Sequence, residues 1–448
     1  SLILALFSGA LFLLHPVQTE AVAYIAGRSD CLSTLFFFGA FALFLYRKSE
    51  AVTWPAAAGV LAIFVLAIGS KENTIVLPAV LLLTDYFWNP GFRLEGIRRN
   101  WKLYVPIATG ALAGAIFVLR RIGRADSAGF GIKDLKPIEY FYTQCRVLFS
   151  YLRLFLLPAG QTVDYDYAIS QTPLEHGAAV GLLLLIAITG SAIYYRKRFP
   201  LAAYGWLLFL ILLAPTSSFV PIRDPIAERR LYLSMLGLLL IAAEFLGRIR
   251  VSNAVLSAGL CGIVAVAGAA SFSRNHVWSG PIPLWEDAVF KSPGKARAHF
   301  QLAYAYYEAG RCQEALGHYQ KVSQLEKPDY RLLVDWALAY NCLELPREAM
   351  AKLEEAAALE KTAHVYALIG MIYGKERKQA EALQALDKAI AIDPSFDMSY
   401  VYRGNVFQTA DDWEAAAREY RRGLEINPSN QVARDALNRA LALLQNRR

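Results

Sequence analysis

Charge is what this chain has least of. Of its 448 residues only 19% are Asp, Glu, Lys or Arg, against 56% hydrophobic, and the mean hydropathy is +0.31. Soluble domains carry about 25% charged residues, so an ordinary soluble protein of this size is excluded. Cysteine is scarce too: Cys31, Cys145, Cys261, Cys312 and Cys342 stand alone, without CxxC or Cys/His spacing. That implies neither a metal site nor a disulfide framework. No GxxxxGK[ST] loop is present, so phosphate-loop binding of ATP is excluded, and no soluble nucleotide-sugar site is visible. The net charge is +8, but the basic residues are dispersed over short loops and helix faces. The basic stripe that nucleic acid requires is missing.

The shortage of charge is uneven. Oily runs dominate up to about residue 271, and from Trp285 onward Ala, Glu, Lys, Arg and Tyr take over, so two regions of different physics meet near residue 280. Apolar runs cover residues 1–14, 31–46, 54–69, 75–88, 102–119, 177–195, 201–214, 231–247 and 253–271. Several fall short of the roughly 20 residues a comfortable span needs, but neighbouring helices can shield their ends. A further run, residues 146–158, is interrupted by Arg146 and Arg153. Positive charge gathers in alternate connections: Arg47 and Lys48; Arg93, Arg98, Arg99 and Lys102; Arg196, Lys197 and Arg198; Arg248 and Arg250. By the positive-inside rule these face the cytoplasm. Nine crossings satisfy that constraint only if 146–158 lies in the interface. The outward face then collects residues 15–30, Lys71 and Glu72, residues 120–176, residues 215–230 and everything after 272.

Beyond Trp285 a period of 33 to 34 residues emerges: EAL at 314–316, EAM at 348–350, EAL at 381–383 and EAAA at 414–417. Small Ala315, Ala349, Ala382 and Ala416 recur where paired helices approach closely. Tyr306, Tyr340, Tyr373 and Phe407 fill first-helix slots, and Tyr319, Leu353, Leu386 and Tyr420 fill second-helix slots. Pro328, Pro394 and Pro428 close the turns, with Lys361 at the second boundary. This is the tetratricopeptide pattern. The expected fold class is all-α, a polytopic membrane helix bundle followed by a repeat solenoid. Its expected parts are a membrane domain over 1–272, a linker with a first amphipathic helix over 273–295, four repeats over 296–428 and a capping helix over 429–448. Such arrays bind extended peptides in a concave groove. The positions expected to line it are Arg297, Phe300, Tyr304, Tyr307, Arg331, Asn341, His364 and Asn405, although inter-repeat packing accounts equally well for each aromatic. Cys312 and Cys342 fall at the same end of neighbouring repeats, where a disulfide is open to them outside the cytosol; the spacing itself does not call for one.

Ionisable residues at membrane boundaries are costly to desolvate, so clusters on one side of a bundle are candidate sites. One is HPVQTEAVAYIAGRSD, residues 15–30, with His15, Glu20, Arg28 and Asp30. A second is SKEN, with Lys71 and Glu72, which are adjacent and need not pair. TQCRVLFSYLRLFLLPAGQTVDYDY carries Arg146, Arg153, Asp164 and Asp166, the two aspartates on one side if the chain is extended. APTSSFVPIRDPIAERRLYL carries Arg223, Asp224, Glu228, Arg229, Arg230 and Tyr232. Guanidinium groups suit a lipid phosphate because their donors form a fixed fork and stay charged. A nearby carboxylate can take the proton of an attacking hydroxyl as a sugar leaves its phosphate. The combination describes glycosyl transfer from a polyprenyl-phosphate donor. No metal is called for, and no cofactor is firmly implied besides that donor.

These four stretches, followed by LWEDAVFKSPGKARAHFQLAYAYYEAGR, resemble the transmembrane and tetratricopeptide repeat-containing O-mannosyltransferases and their bacterial relatives over essentially the whole chain. The resemblance implies a C-type glycosyltransferase fold, a lipid-linked mannose-type donor and transfer to protein Ser or Thr outside the cytosol, the repeats holding the acceptor. It also implies that the catalytic carboxylate sits in an acidic first outer loop. This chain opens at Ser1 inside an apolar run, so that loop and two flanking spans are expected upstream. Asp30, Asp164 and Asp224 are then auxiliary carboxylates. Arg146, Arg229 and Arg230 are expected at the donor phosphate, and His15, Glu20, Arg28, Lys71, Glu72, Asp166, Glu228 and Tyr232 shape the site. The expected location is a bacterial inner membrane with periplasmic repeats, or an endoplasmic reticulum membrane with luminal ones. The rival reading is a membrane-anchored tetratricopeptide scaffold without chemistry. A transporter is disfavoured, because the ionisable residues cluster at one face and not midway through spans.

Overall fold

The computed structural model describes residues 1–47, 49–119, 132 and 135–446. Lys48 and part of the outward stretch 120–176 lie outside the described residues. The chain forms two compact units, Ser1–Ser292 and Pro293–Arg448, and is helical with no β-strand among the described residues.

The first unit runs α1 (Leu2–Leu14), a 3-10 turn at Pro16–Gln18, α2 (Thr19–Ala23), a second turn at Ile25–Gly27, α3 (Arg28–Leu45), α4 (Trp54–Ser70), α5 (Leu77–Trp88), α6 (Glu95–Arg99), α7 (Trp101–Leu119), α8 (Pro137–Leu156), α9 (Ala178–Tyr194), α10 (Pro200–Leu213), α11 (Leu231–Leu246), α12 (Asn253–Val277) and α13 (Pro281–Lys291). Each apolar run read from the sequence coincides with one of these helices, and the interrupted run 146–158 is the later part of α8. The local signals are ordinary ones. Thr53 accepts from the Ala56 amide with Pro55 in the first turn of α4, and Ser252 accepts from the Val255 amide at the start of α12, each satisfying a donor the helix leaves free. Ile25–Leu45, Glu175–Tyr194 and Asn253–Val277 are long and apolar enough to cross a bilayer; Leu2–Leu14 with Pro16–Ala23 qualifies as a pair bent by 47°.

Two large apolar clusters hold the unit together, with a smaller one between α1, α11 and α12. One joins α3, α4, α5 and α10 through Phe37, Phe44, Val60, Leu77, Leu81 and Leu208. The other joins the 3-10 turn, α8, α10 and α11 through Val17, Val147, Tyr151, Phe209 and Leu231. Beside the first of these, buried Asp85 accepts from Asn100 Nδ2 at 2.7 Å and Tyr104 Oη at 2.6 Å and faces Arg47 Nη2 at 3.5 Å. A buried carboxylate requires such partners.

The second unit is four helical pairs, α14 (Ala296–Glu308) with α15 (Cys312–Leu325), α16 (Tyr330–Cys342) with α17 (Pro346–Leu359), α18 (Ala363–Lys375) with α19 (Gln379–Ile392) and α20 (Asp397–Thr409) with α21 (Trp413–Ile426), followed by α22 (Gln431–Asn446). Ala315, Ala349, Ala382 and Ala416 are fully buried between paired helices, as are the second-helix residues Tyr319, Leu353, Leu386 and Tyr420. One pairing that the sequence leaves open is made. Cys312 and Cys342 form a disulfide with Cα atoms 6.3 Å apart. Spacing along the chain gave no reason for it; stacking the first two pairs brings the start of α15 against the end of α16.

Candidate functional site

The site is assembled where the stretch 15–30 folds against the segment leading into α11. His15 is buried and caps the following turn: its Nδ1 accepts from the Val17 amide at 3.2 Å while its Nε2 meets the Phe155 carbonyl at 2.9 Å. Its ring stacks on Phe155. With each ring nitrogen occupied, His15 fixes the entry to α2.

Glu20, 2% exposed, receives the Arg229 backbone amide at 3.0 Å and forms an ion pair with the Arg229 guanidinium, whose side chain keeps 30% exposure. Asp30, in the first turn of α3, pairs with Lys71 at 2.5 Å. Lys71 thus turns away from its neighbour Glu72, which is exposed. Arg229 and Glu72 lie within electrostatic reach of Asp30, as does Tyr232, which also neighbours Cys31. Arg28 is exposed at the head of α3. The structure therefore gathers Glu20, Asp30, Lys71, Glu72, Arg229 and Tyr232 in one place.

Glu228 is 1% exposed. Its carboxylate accepts from Gln161 Nε2 at 2.5 Å, the Thr162 amide at 2.9 Å and Tyr165 Oη at 2.6 Å. Burial, then the charge of Glu20, push its carboxyl up to about 7, against the partial relief that Tyr165, Arg274 and Gln161 provide. A polar chain continues from it: the Gln161 carbonyl accepts from Lys291 Nζ at 2.6 Å, Lys291 pairs with Asp287 at 2.6 Å, and Asp287 pairs with Arg274 at 2.7 Å. Sequence reasoning named Glu228 but missed Gln161, Arg274, Asp287 and Lys291. For Arg274 a signal existed, the seven-residue spacing from Leu260 and Ala267.

Other expected residues are placed differently. Arg146 donates to the Ala168 carbonyl and Ser170 Oγ, each at 2.9 Å, and lies over the Tyr167 ring. Arg230 donates to the carbonyls of Pro225 at 2.8 Å and Asp224 at 2.6 Å. These guanidiniums hold backbone, and of the three arginines Arg229 is the one paired with the clustered carboxylates. Arg153 bonds the Ala159 carbonyl at 2.9 Å. Asp164 is buried while Asp166 is exposed, and the segment bends at 163–164. Asp224 is half-buried in the loop before Glu228.

In the repeat unit, Arg331 lies 4.9 Å over the Phe300 ring. Tyr304, Tyr307 and Arg331 are electrostatic neighbours of Asp335 or Tyr319, so four of the expected groove residues share one surface with Asp335, which sequence reasoning missed. Burial pushes the Asp335 carboxyl up to about 6, with Arg331 opposing. Asn341 accepts from Lys375 at 3.0 Å, His364 meets Phe396 edge-on, and Asn405 accepts from Tyr420 Oη at 2.8 Å. Arg297 is exposed on α14.

Comparison with known proteins supplies the family context. Residues 363–396, which fall on α18 and α19, match the tetratricopeptide repeat family. The chain is 23% identical to protein O-mannosyl-transferase TMTC3 of Mus musculus, an alignment covering 95% of this chain and 52% of that protein. It is 25% identical to protein O-mannosyl-transferase F38B6.6 of Caenorhabditis elegans over 73% of this chain and 46% of the relative. Human protein O-mannosyl-transferase TMTC1 is 25% identical over 72% of this chain and 42% of its own length. The chain spans about half the length of the curated relatives it matches. Among solved structures, YrrB, a tetratricopeptide protein with an unusual peptide-binding site, is similar at TM-score 0.29 and 19% identity, over 40% of this chain and 88% of that one. The thermophilic tetratricopeptide protein TTC0263 of Thermus thermophilus reaches TM-score 0.33 at 17% identity, over 40% and 95%. The curated relatives matched across most of the chain are thus named protein O-mannosyl-transferases.

Proposed function

We propose that this protein is a membrane glycosyltransferase that moves a mannose-type sugar from a polyprenyl phosphate to Ser or Thr of a protein on the non-cytoplasmic side. The observation that carries the reading is the likeness to protein O-mannosyl-transferases along 95% of the chain, which takes in the polar cluster of the first unit as well as the repeats. In the reaction the acceptor hydroxyl oxygen attacks the anomeric carbon, the bond from that carbon to the phosphate oxygen breaks, and polyprenyl phosphate leaves. The hydroxyl proton passes to a carboxylate. Asp30, Asp164 and Asp224 serve as auxiliary carboxylates around that base. Arg229 faces the donor phosphate, while Arg146 and Arg230 brace the loops around it.

The first unit crosses the membrane nine times, with part of α8 in the interface. An apolar groove of 460 Å³ between α1 and α12, lined by Leu6, Leu14, Leu260 and Val264, suits a polyprenyl chain. The Cys312–Cys342 disulfide supports an oxidising compartment for the repeats, a periplasm or an endoplasmic reticulum lumen. The surface around Tyr304, Tyr307, Arg331 and Asp335 holds the acceptor.

The test uses full-length protein, a radiolabelled polyprenyl-phosphate mannose and a Ser/Thr-containing acceptor protein. Label is expected on the acceptor, and Arg229→Ala lowers the rate about tenfold to a hundredfold, the worth of a charge-assisted phosphate contact. Label that stays on the lipid sinks the enzyme reading and leaves a scaffold.

A further inference from the structure

Two connections of the first unit concentrate positive charge: Arg196, Lys197 and Arg198 follow α9, and Arg248 and Arg250 follow α11. Residues 194–202 and 243–252 set one carboxylate against these five cations, Glu244. That carboxylate is already taken, since it accepts from the Leu201 amide at 2.9 Å and from Arg248 Nε at 2.7 Å. Arg248 Nη2 donates onward to the Arg198 carbonyl at 2.6 Å, which ties the two connections together. The side chains of Lys197 and Arg198 are exposed and have no ion-pair partner among the described residues. Two uncompensated cations thus stand side by side at the end of α9.

They stand at the mouth of an apolar groove. It has a volume of 430 Å³, lies between α8, α9, α10 and α11, and is walled by Leu152, Ile188 and Trp206. The indole N–H of Trp206 is bonded to Thr189 Oγ1 at 2.9 Å, so this wall has no free donor to offer a polar guest. Three rings, Tyr195, Phe199 and Phe245, line the end nearest the cations, with Phe199 6.4 Å from Tyr195 and 5.8 Å from Phe245. The guanidiniums of Arg198 and Arg248 lie 5.5 and 4.4 Å from the Phe199 centroid, so charge and groove meet on one ring. The segment that includes α9, Glu175–Tyr194, is long and apolar enough to cross a bilayer, and only 11% of its most apolar stretch is buried within the protein. From Ile188 to Tyr195 a helix advances about 10 Å, most of one leaflet of a hydrocarbon core roughly 30 Å thick. That length suits one acyl chain of one leaflet. Basic clusters at the membrane surface hold anionic lipids, and the cations here leave a neutral headgroup no advantage.

We propose that this groove is a binding site for one anionic glycerophospholipid, its acyl chain lying along α9 and its phosphate held by Lys197 and Arg198. Arg248, committed to Glu244, braces the mouth over Phe199. The leaflet follows from the positive-inside orientation of residues 196–198, which makes it the cytoplasmic one. The site is separate from the Glu20, Asp30 and Arg229 cluster and stands whether or not the chain transfers sugar.

The experiment photolabels full-length protein in nanodiscs with phosphatidylglycerol or phosphatidylcholine carrying a diazirine midway along one acyl chain, and maps the labelled peptides by mass spectrometry. The proteins compared are wild type, the double variant Lys197→Ala with Arg198→Ala, and Ser191→Phe. Lys197 and Arg198 are exposed, and Ser191 is an exposed residue that lines the groove, so none of these changes empties a core. Each cation at the membrane surface favours an anionic lipid by roughly fivefold. In wild type the phosphatidylglycerol probe is therefore expected to label residues 188–206 about fivefold or more over the phosphatidylcholine probe. Loss of both cations lowers that preference by about fivefold or more, and Ser191→Phe, which fills the groove, lowers labelling by both probes. Equal labelling by the two probes in wild type, or a preference that survives the double variant, overturns the anionic-lipid site. Labelling that Ser191→Phe leaves unchanged overturns the groove as its seat. Polyprenyl phosphate that displaces the probe better than unlabelled phosphatidylglycerol also overturns it, by giving the groove to the donor lipid. Sugar transfer enters none of these readouts, so the site and the transferase reading stand or fall apart.

Discussion

Glu228 is the residue on which the candidate site turns. Three donors converge on it from the 161–165 segment, and its own chain position, one residue before Arg229, transmits that hold to the Glu20 pair. Its environment favours the neutral acid, since burial and the Glu20 charge raise its carboxyl from 4.5 to about 7. A carboxyl raised on folding is stabilising when protonated, so the folded state holds a proton that the unfolded chain releases near its ordinary value. This contribution is fully present below about pH 4.5 and is lost as pH rises towards 7, a change on the order of a few kcal/mol. Glu228→Gln removes the titration. In detergent, the thermal midpoint of wild type is therefore expected to fall between pH 5 and 7.5 by more than that of Glu228→Gln. Equal pH dependence in the two proteins would show that Glu228 does not titrate in this range. His15 teaches the complementary point. A histidine in an oily chain invites a catalytic reading, yet its two ring nitrogens are bound to Val17 and Phe155.

At the scale of elements, α10 and α11 make a close crossing within the first unit. A Cβ on Gly205 would stand 2.5 Å from the Gly237 carbonyl oxygen, so the two backbones touch through paired glycines, as membrane helices do where dispersion alone drives association. Gly259, on α12, has nothing among the described residues within 4 Å of the same imagined atom. Gly205→Ala is thus expected to destabilise by roughly 1–3 kcal/mol and Gly259→Ala to be neutral or mildly stabilising, because alanine is the better helix former. Denaturant titration in mixed micelles compares them; a cost at Gly259 equal to that at Gly205 would refute the close crossing. The helices were legible in the sequence, since uninterrupted apolar runs and a 33-to-34-residue repeat leave few alternatives. Contacts between elements were not. Cys312 and Cys342 are 30 residues apart, and only the stacking of one repeat on the next makes them a pair. Asp164 and Asp166 look alike in the sequence, but one is buried and the other exposed.

At the scale of the whole molecule, the chain divides its work by physics. The first unit is poor in charge and holds part of it in largely buried pairs, Glu20 with Arg229 and Asp30 with Lys71. The repeat unit spreads charge over its surface and offers aromatic and ionic side chains together, with Tyr304 41% exposed and Arg331 over Phe300. In the proposed enzyme, the first unit recognises the donor and the repeats recognise the protein acceptor. Binding energy gained on a remote surface lowers KM without changing the chemical step when it is gained equally in ground and transition states. Replacing Tyr304 and Arg331 together by alanine should then raise KM for a protein acceptor about tenfold. One well-placed aromatic or arginine at an interface is commonly worth that much. In the same variant kcat and the affinity for polyprenyl phosphate stay at wild-type values, because neither residue belongs to the donor site. Steady-state transfer assays with a folded acceptor measure the first two quantities, and direct titration measures the third. A variant whose acceptor KM is unchanged places the acceptor elsewhere than on this surface. One whose donor affinity falls along with acceptor binding shows that the units do not work separately.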